Sequence, residues 1–175
     1  MARIFRHIYV VRQPATPRRG ILVAGPLRVP VALGRSGLVT RKREGDGGTP
    51  RGRMPLRRVW YRADRVGRPK TALPTIRTAR YHLWSDDPRD HRYNRPVRPP
   101  HSFSHEEMWR ADGLYDYIVE LGWNDSPPLR GRGSAIFMHI ARDGFKPTEG
   151  CIALRRRDLR RLLPHLGPGT MLIVR

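Results

Sequence analysis

Glycine and proline punctuate this chain so densely that long helices have little room to form. Seventeen of each stand among its 175 residues. Proline removes a backbone donor and glycine loosens the backbone, so each interrupts a helix interior. What lies between them is a series of short apolar runs, the pattern of strands bounded by turns. The runs at 4–11, 20–24, 28–33 and 38–43 read as two successive hairpins, with further strands at 54–62 and 80–84. Residues 115–121 carry the aromatic and β-branched side chains that suit a strand. Compact apolar runs at 136–140 and 170–174 end in turn signals and read the same way. One helix is expected where Leu159, Leu162, Leu163 and Leu166 fall on one face, distorted at Pro164 and ended by Gly167-Pro168-Gly169. A second, short helix is expected over 104–110, with Ser104 as N-cap and Glu106 and Glu107 in its first turn. The polar, proline-rich stretch at 85–100 reads as a long ordered loop, a kind that is usually functional. The expected fold is mainly β, a sandwich-like or twisted-sheet arrangement with one or two short helices, forming a single domain over 1–175.

Charge narrows the partners without naming one. The net charge is +20, and the basic residues are nearly all arginine, with Lys42, Lys70 and Lys146 as the lysines. Such a chain attracts anionic polymers. The arginines are scattered rather than blocked, and no helix-turn-helix, zinc-finger or aromatic-sheet signature accompanies them, so no specific nucleic acid is expected. Residues 1–10 contain no apolar segment with a cleavage site, and no run approaches a membrane span, so the chain reads as soluble and without an export signal. A single cysteine excludes an internal disulfide and multi-thiolate zinc sites. His101 and His105 stand four apart, yet no HExxH pattern is present, and neither a metal nor a cofactor is expected.

The cysteine itself is the candidate for chemistry. Cys151 follows Gly150 in Pro147-Thr148-Glu149-Gly150-Cys151, and the apolar run before it delivers His139. Taken alone, a lone thiol is more often a small buried packing residue than a nucleophile. Three features favour catalysis. Gly150 permits a sharp turn that exposes the sulfur, and the backbone N–H groups of Gly150 and Cys151 are candidate oxyanion donors. His139 is placed to take the thiol proton or to pair with a thiolate and lower its pKa. Glu149 works against a thiolate, or else is held by an arginine and orients a base. Thr148 and His105 are candidate auxiliaries, His105 as a further imidazole.

These residues resemble a known family. Gly133-Ser134-Ala135-Ile136-Phe137-Met138-His139, then Pro147 to Leu154, is similar to the signature of YkuD-type L,D-transpeptidases, followed by the expected helix and terminal strand. Upstream, Gly45-Asp46-Gly47-Gly48-Thr49-Pro50-Arg51-Gly52 is similar to the family's Gly-Asp-x-x-Thr-Pro-x-Gly segment. Read without the family, that segment is a good hairpin turn. The resemblance runs from about residue 30 to the end. It implies Cys151 as nucleophile and His139 as base, acting on peptidoglycan stem peptides through a thioester. It also implies carbapenem-type compounds as inhibitors and the periplasm or cell envelope as the location. Glu149 stands where most members have a second histidine, and Ala153 where many have arginine. With Tyr93-Asn94-Arg95 and Ser104-His105-Glu106, these departures suggest a Glu-Gly-Cys variant subfamily.

Transfer to a second stem and hydrolysis as an L,D-carboxypeptidase are both open from sequence. Two rivals stand beside them: a thiol hydrolase of another amide or ester using the same dyad, and a basic, non-enzymatic protein that binds nucleic acid or anionic polymer.

Overall fold

The computed structural model describes residues 2–175. Fourteen strands occur among the described residues, with one α-helix and two 3-10 turns. Strands β1 (His7–Gln13), β2 (Thr16–Ala24) and β3 (Leu27–Ala32) form an antiparallel meander. The long β6 (Gly52–Tyr61) pairs with β14 (Met171–Val174) along its first half and with β11 (Tyr117–Leu121) along its second. Since β11 leads through β12 (Phe137–Ile140) and β13 (Ile152–Leu154) to β3, the sheet closes on itself. Closure leaves few unpaired edges, which a strand-rich chain would otherwise expose.

Alternation builds the interior. Ile8 and Val10, Leu22 and Ala24, Val29 and Val31, and Leu172 and Val174 point into one cluster, joined by Leu159, Leu162, Leu163 and Leu166. Leu159 and Leu162 come from α1 (Arg156–Leu162), Leu163 opens the 3-10 turn Leu163–His165 that follows it, and Leu166 caps that turn, so the expected helix is present but tightens at Pro164. Strands β11 and β12 are buried on both faces. Val119, Met138 and Ile140 join the barrel interior, whereas Ile118 and Phe137 pack outward against Trp60, Trp84, Met108, Tyr115 and Cys151. That outer face is covered by a second, three-stranded sheet of β8 (Leu83–Ser85), β9 (Pro96–Val97) and β10 (His105–Glu107).

Two local expectations fail for long-range reasons, and one pairing lies beyond any local pattern. Residues 104–110 do not form a helix: His105, Glu106 and Glu107 pair with Ser85, Trp84 and Leu83. A seven-residue helix is marginal on its own, and the strand pairing satisfies the same backbone groups while burying Met108. The second hairpin is absent too. Of the run at 38–43 only β4 (Leu38–Val39) is extended, and it pairs in parallel with β5 (Thr49–Pro50) rather than with β3. The Gly45–Gly52 segment is therefore a crossover and not a hairpin turn. Finally, β1 lies parallel to β14, a contact between the two ends of the chain that no local pattern announces.

Candidate active site

Strand register brings His139 and Cys151 to one cavity. In the parallel pair β12–β13, His139 lies opposite Ala153. Side chains alternate along a strand, so Phe137, His139, Cys151 and Ala153 share the outer face, away from Met138 and Ile140. His139, Cys151 and Ala153 line one cavity of about 360 Å³. Tyr115, Arg110 and Glu106 form its far wall, and Glu44, Ser134, Thr148 and Glu149 stand around it.

The sulfur is held from two sides. The Phe137 N–H donates to Cys151 Sγ at 3.3 Å, and the thiol donates to the Ala135 carbonyl at 3.3 Å. His139 Nδ1 lies 2.9 Å from the Ile140 carbonyl. A carbonyl only accepts, so Nδ1 carries the proton and Nε2 presents a lone pair. The imidazole also packs edge-on against Tyr115, with ring centroids 5.2 Å apart.

Both groups rest neutral. Burial pushes the Cys151 thiol up to about 12, opposed by the Phe137 N–H. Burial also takes His139 down to about 4, although its bond to Ile140 works the other way. The expected lowering of the thiol by an imidazolium partner is not found, because desolvation penalises both charged forms and prevails. Such a pair suits general-base removal of the proton during attack rather than a standing thiolate.

The turn before Cys151 is shaped by its neighbours. Gly150 has φ +137°, and a Cβ there would lie 2.8 Å from the Gly48 carbonyl, so only glycine fits. Gly48 belongs to the crossover after β4, which is how the two sequence motifs come together. Asp46 anchors that crossover by accepting from Lys42 Nζ at 2.5 Å and from the Arg43 and Gly48 N–H groups. Thr148 Oγ1 accepts from the Gly150 N–H at 3.1 Å and donates to the Cys151 carbonyl at 2.6 Å. The Gly150 N–H is thus engaged within its own loop.

The L,D-transpeptidase catalytic domain (YkuD) model matches residues 13–174. The chain belongs to this family. No curated protein matches it. Among solved structures it is similar to an L,D-transpeptidase from Mycobacterium smegmatis, at 13% identity and a TM-score of 0.43, over 96% of this chain and 58% of that one. It is also similar to L,D-transpeptidase 3 from Mycobacterium tuberculosis, at 14% identity and a TM-score of 0.45, over 96% of this chain and 60% of that one. The chain therefore spans about three fifths of the length of those structures.

Within this L,D-transpeptidase fold the remaining candidates separate. Glu149 pairs with Arg35 at 2.8 Å at the cavity rim, with 78% of its side chain exposed, so it is held by an arginine but does not touch His139. His105 is not in the cavity. On β10 it turns to His101 and places Nδ1 2.8 Å from the Phe103 carbonyl, and its neighbour Glu106 takes the inward position. The helix expectation had obscured this, since a strand inverts which of two adjacent residues faces the site. Sequence reasoning also missed Arg110, Arg142, Tyr115 and Glu44. The pairing of β10 with β8 turns Glu106 toward the cavity, and Arg110 and Tyr115, on the chain that follows, line it too. Despite the net charge of +20, the cavity sets Arg110, Arg142 and Lys146 against Glu44, Asp86, Glu106 and Glu149.

Proposed function

We propose that this chain is an L,D-transpeptidase acting on peptidoglycan stem peptides, with Cys151 as nucleophile and His139 as general base. In this reading residues 1–175 act as one catalytic domain at the cell envelope. The observation that carries the reading is a neutral imidazole with its Nε2 lone pair free, lining the same cavity as a neutral thiol. As Sγ attacks the carbonyl between the third-position diamino acid and D-alanine, the S–H turns from Ala135 and its proton passes to Nε2. The C–N bond then breaks, the leaving amine takes that proton, and D-alanine departs from a Cys151 thioester. The side-chain amine of a second stem attacks the thioester, gives its proton to His139, and Cys151 leaves and is reprotonated.

The developing oxyanion needs donors within the cavity. Cys151 N–H supplies one, and Gly150 N–H joins it once released from Thr148. The mixed charge of the cavity suits a substrate bearing both carboxylates and amines, with Arg142 and Lys146 supplying cations where Ala153 does not.

Intact mass measured after incubation with a carbapenem tests the assignment. A single covalent adduct is expected in the parent and none in Cys151→Ala. Absence of any adduct in the folded parent, with salt-sensitive polymer binding retained, would replace the enzyme reading by the non-enzymatic one. Tetrapeptide incubated with and without an acceptor stem separates transfer from hydrolysis.

A further inference from the structure

The loop at 85–100 sends one side chain to the nucleophile's support. Asn94 is 3% exposed and uses all four of its side-chain hydrogen-bonding positions. Its Nδ2 donates to the carbonyls of Trp123 at 2.9 Å and Asn124 at 2.8 Å. Its Oδ1 accepts from Trp84 Nε1 at 3.0 Å and from the Ala135 N–H at 3.1 Å. The Ala135 carbonyl is the same group that accepts the Cys151 thiol. Ala135 has φ +51°, a left-handed conformation that an alanine adopts only when its surroundings impose it. Asn94 is itself left-handed, at φ 57°, a conformation asparagine tolerates.

The arm that carries Asn94 is rigid. Backbone bonds tie Asn94 N–H to the Ser85 carbonyl and Ser85 N–H to the Arg95 carbonyl, each at 2.9 Å. Buried Asp90 accepts from Ser85 Oγ at 2.6 Å and from the Arg92 N–H at 2.9 Å. The covering sheet therefore reaches through Asn94 to a peptide whose geometry decides where the sulfur sits.

We infer that Asn94 is a positioning residue for Cys151, acting through Ala135: it holds the Ala135 N–H, fixes that residue's left-handed turn, and so aims its carbonyl at Sγ. This rests on Cys151 being the nucleophile of the proposed reaction. The bond marks the resting orientation of the thiol, from which the S–H turns to His139 when substrate enters. With the Phe137 N–H on its other side, the sulfur is confined to a narrow arc. A displacement of about 1 Å at such a group can cost on the order of a hundredfold in rate.

The single cysteine makes the test direct, because the S–H stretching band in the Raman spectrum of the free protein comes from Cys151 alone. Asn94→Gly keeps the left-handed backbone without strain and removes the side chain. Its S–H band is expected to move to higher frequency as the bond to Ala135 weakens, with acylation by a carbapenem slowed about tenfold or more. Trp84→Phe removes the other donor to the same oxygen and loosens the same loop without touching Ala135, and its band is expected to stay in place. An unmoved band in folded Asn94→Gly, or an equal movement in Trp84→Phe, overturns the inference. If the glycine variant does not fold, Asn94→Ser, whose hydroxyl is too short to reach Ala135, is read by the same criterion. The band is recorded without substrate, so a parent protein that no carbapenem acylates would sink the proposed function and leave this result standing.

Discussion

The pH dependence of acylation separates a buried base from an ordinary one. Burial takes His139 from a usual value of 6.5 down to about 4. A ring titrating near 6.5 is about one-tenth neutral at about pH 5.5 and about nine-tenths neutral at about pH 7.5, so a rate carried by neutral imidazole rises about tenfold across that interval. A ring titrating near 4 is almost wholly neutral throughout the same interval, and the rate stays level to within about a tenth. The thiol, pushed up to about 12, adds no inflection there. A reaction through a small standing thiolate population would instead climb about tenfold per pH unit. Initial rates of carbapenem adduct formation, followed by intact mass at constant ionic strength, decide among these. The level profile is expected. A tenfold rise centred near pH 6.5, or a climb without a plateau, refutes the buried neutral pair.

Folding stability reports the same shift independently. The unfolded chain binds a proton at His139 more readily than the folded one, so this residue's contribution is full above about pH 6.5 and is lost as pH falls toward 4. A shift of that size corresponds to roughly 3 kcal/mol. In His139→Phe, urea unfolding measured across this window should lose a slope of that magnitude. An unchanged slope means that His139 is not buried neutral.

Gly150→Ala forces a side chain to φ +137° and within 2.8 Å of the Gly48 carbonyl; about 2–3 kcal/mol should be lost, roughly 5–10 °C in Tm. A calorimetric Tm within about 1 °C of the parent would contradict the geometry. Lys42→Met leaves Asp46 without its buried partner while its apolar stem is refilled, and a loss of about 3 kcal/mol is expected in denaturant melts. Glu149→Gln breaks only an exposed pair, so stability should change by no more than about 1 kcal/mol and the carbapenem adduct should still form. Loss of the adduct in that variant would make Glu149 part of the machinery rather than a clasp on Arg35.

What could be read along the chain was whatever depends on near neighbours. The strand that ends at His139 is a contiguous apolar run, Leu159 to Leu166 repeats with helical spacing, and Gly150 before Cys151 signals a turn. The two family motifs were likewise visible as ordered residues. The 104–110 segment misled because its capping residues are those of a helix, yet its backbone groups find partners in Leu83 to Ser85, some twenty residues earlier. Sequence alone points to His105 and not to Glu106, since a residue's face is not assigned until its partner strand is known.

The sequence by itself determined a β-rich chain with few and short helices, one of them misplaced at 104–110, a lone thiol behind a glycine, and an imidazole on the apolar run before it. Only the tertiary structure decided what surrounds them. It closed the barrel through β6, laid the covering sheet over the outer face of β11 and β12, and brought Tyr115 and Glu106 to the cavity that Cys151 lines and Asn94 to the Ala135 peptide. It also decided the protonation of the site, because a thiol and an imidazole carry their usual values until folding removes the water around them. Local periodicity is set by a few residues of chain, whereas desolvation is set by every element that packs against the site, and that sum exists only in the folded protein.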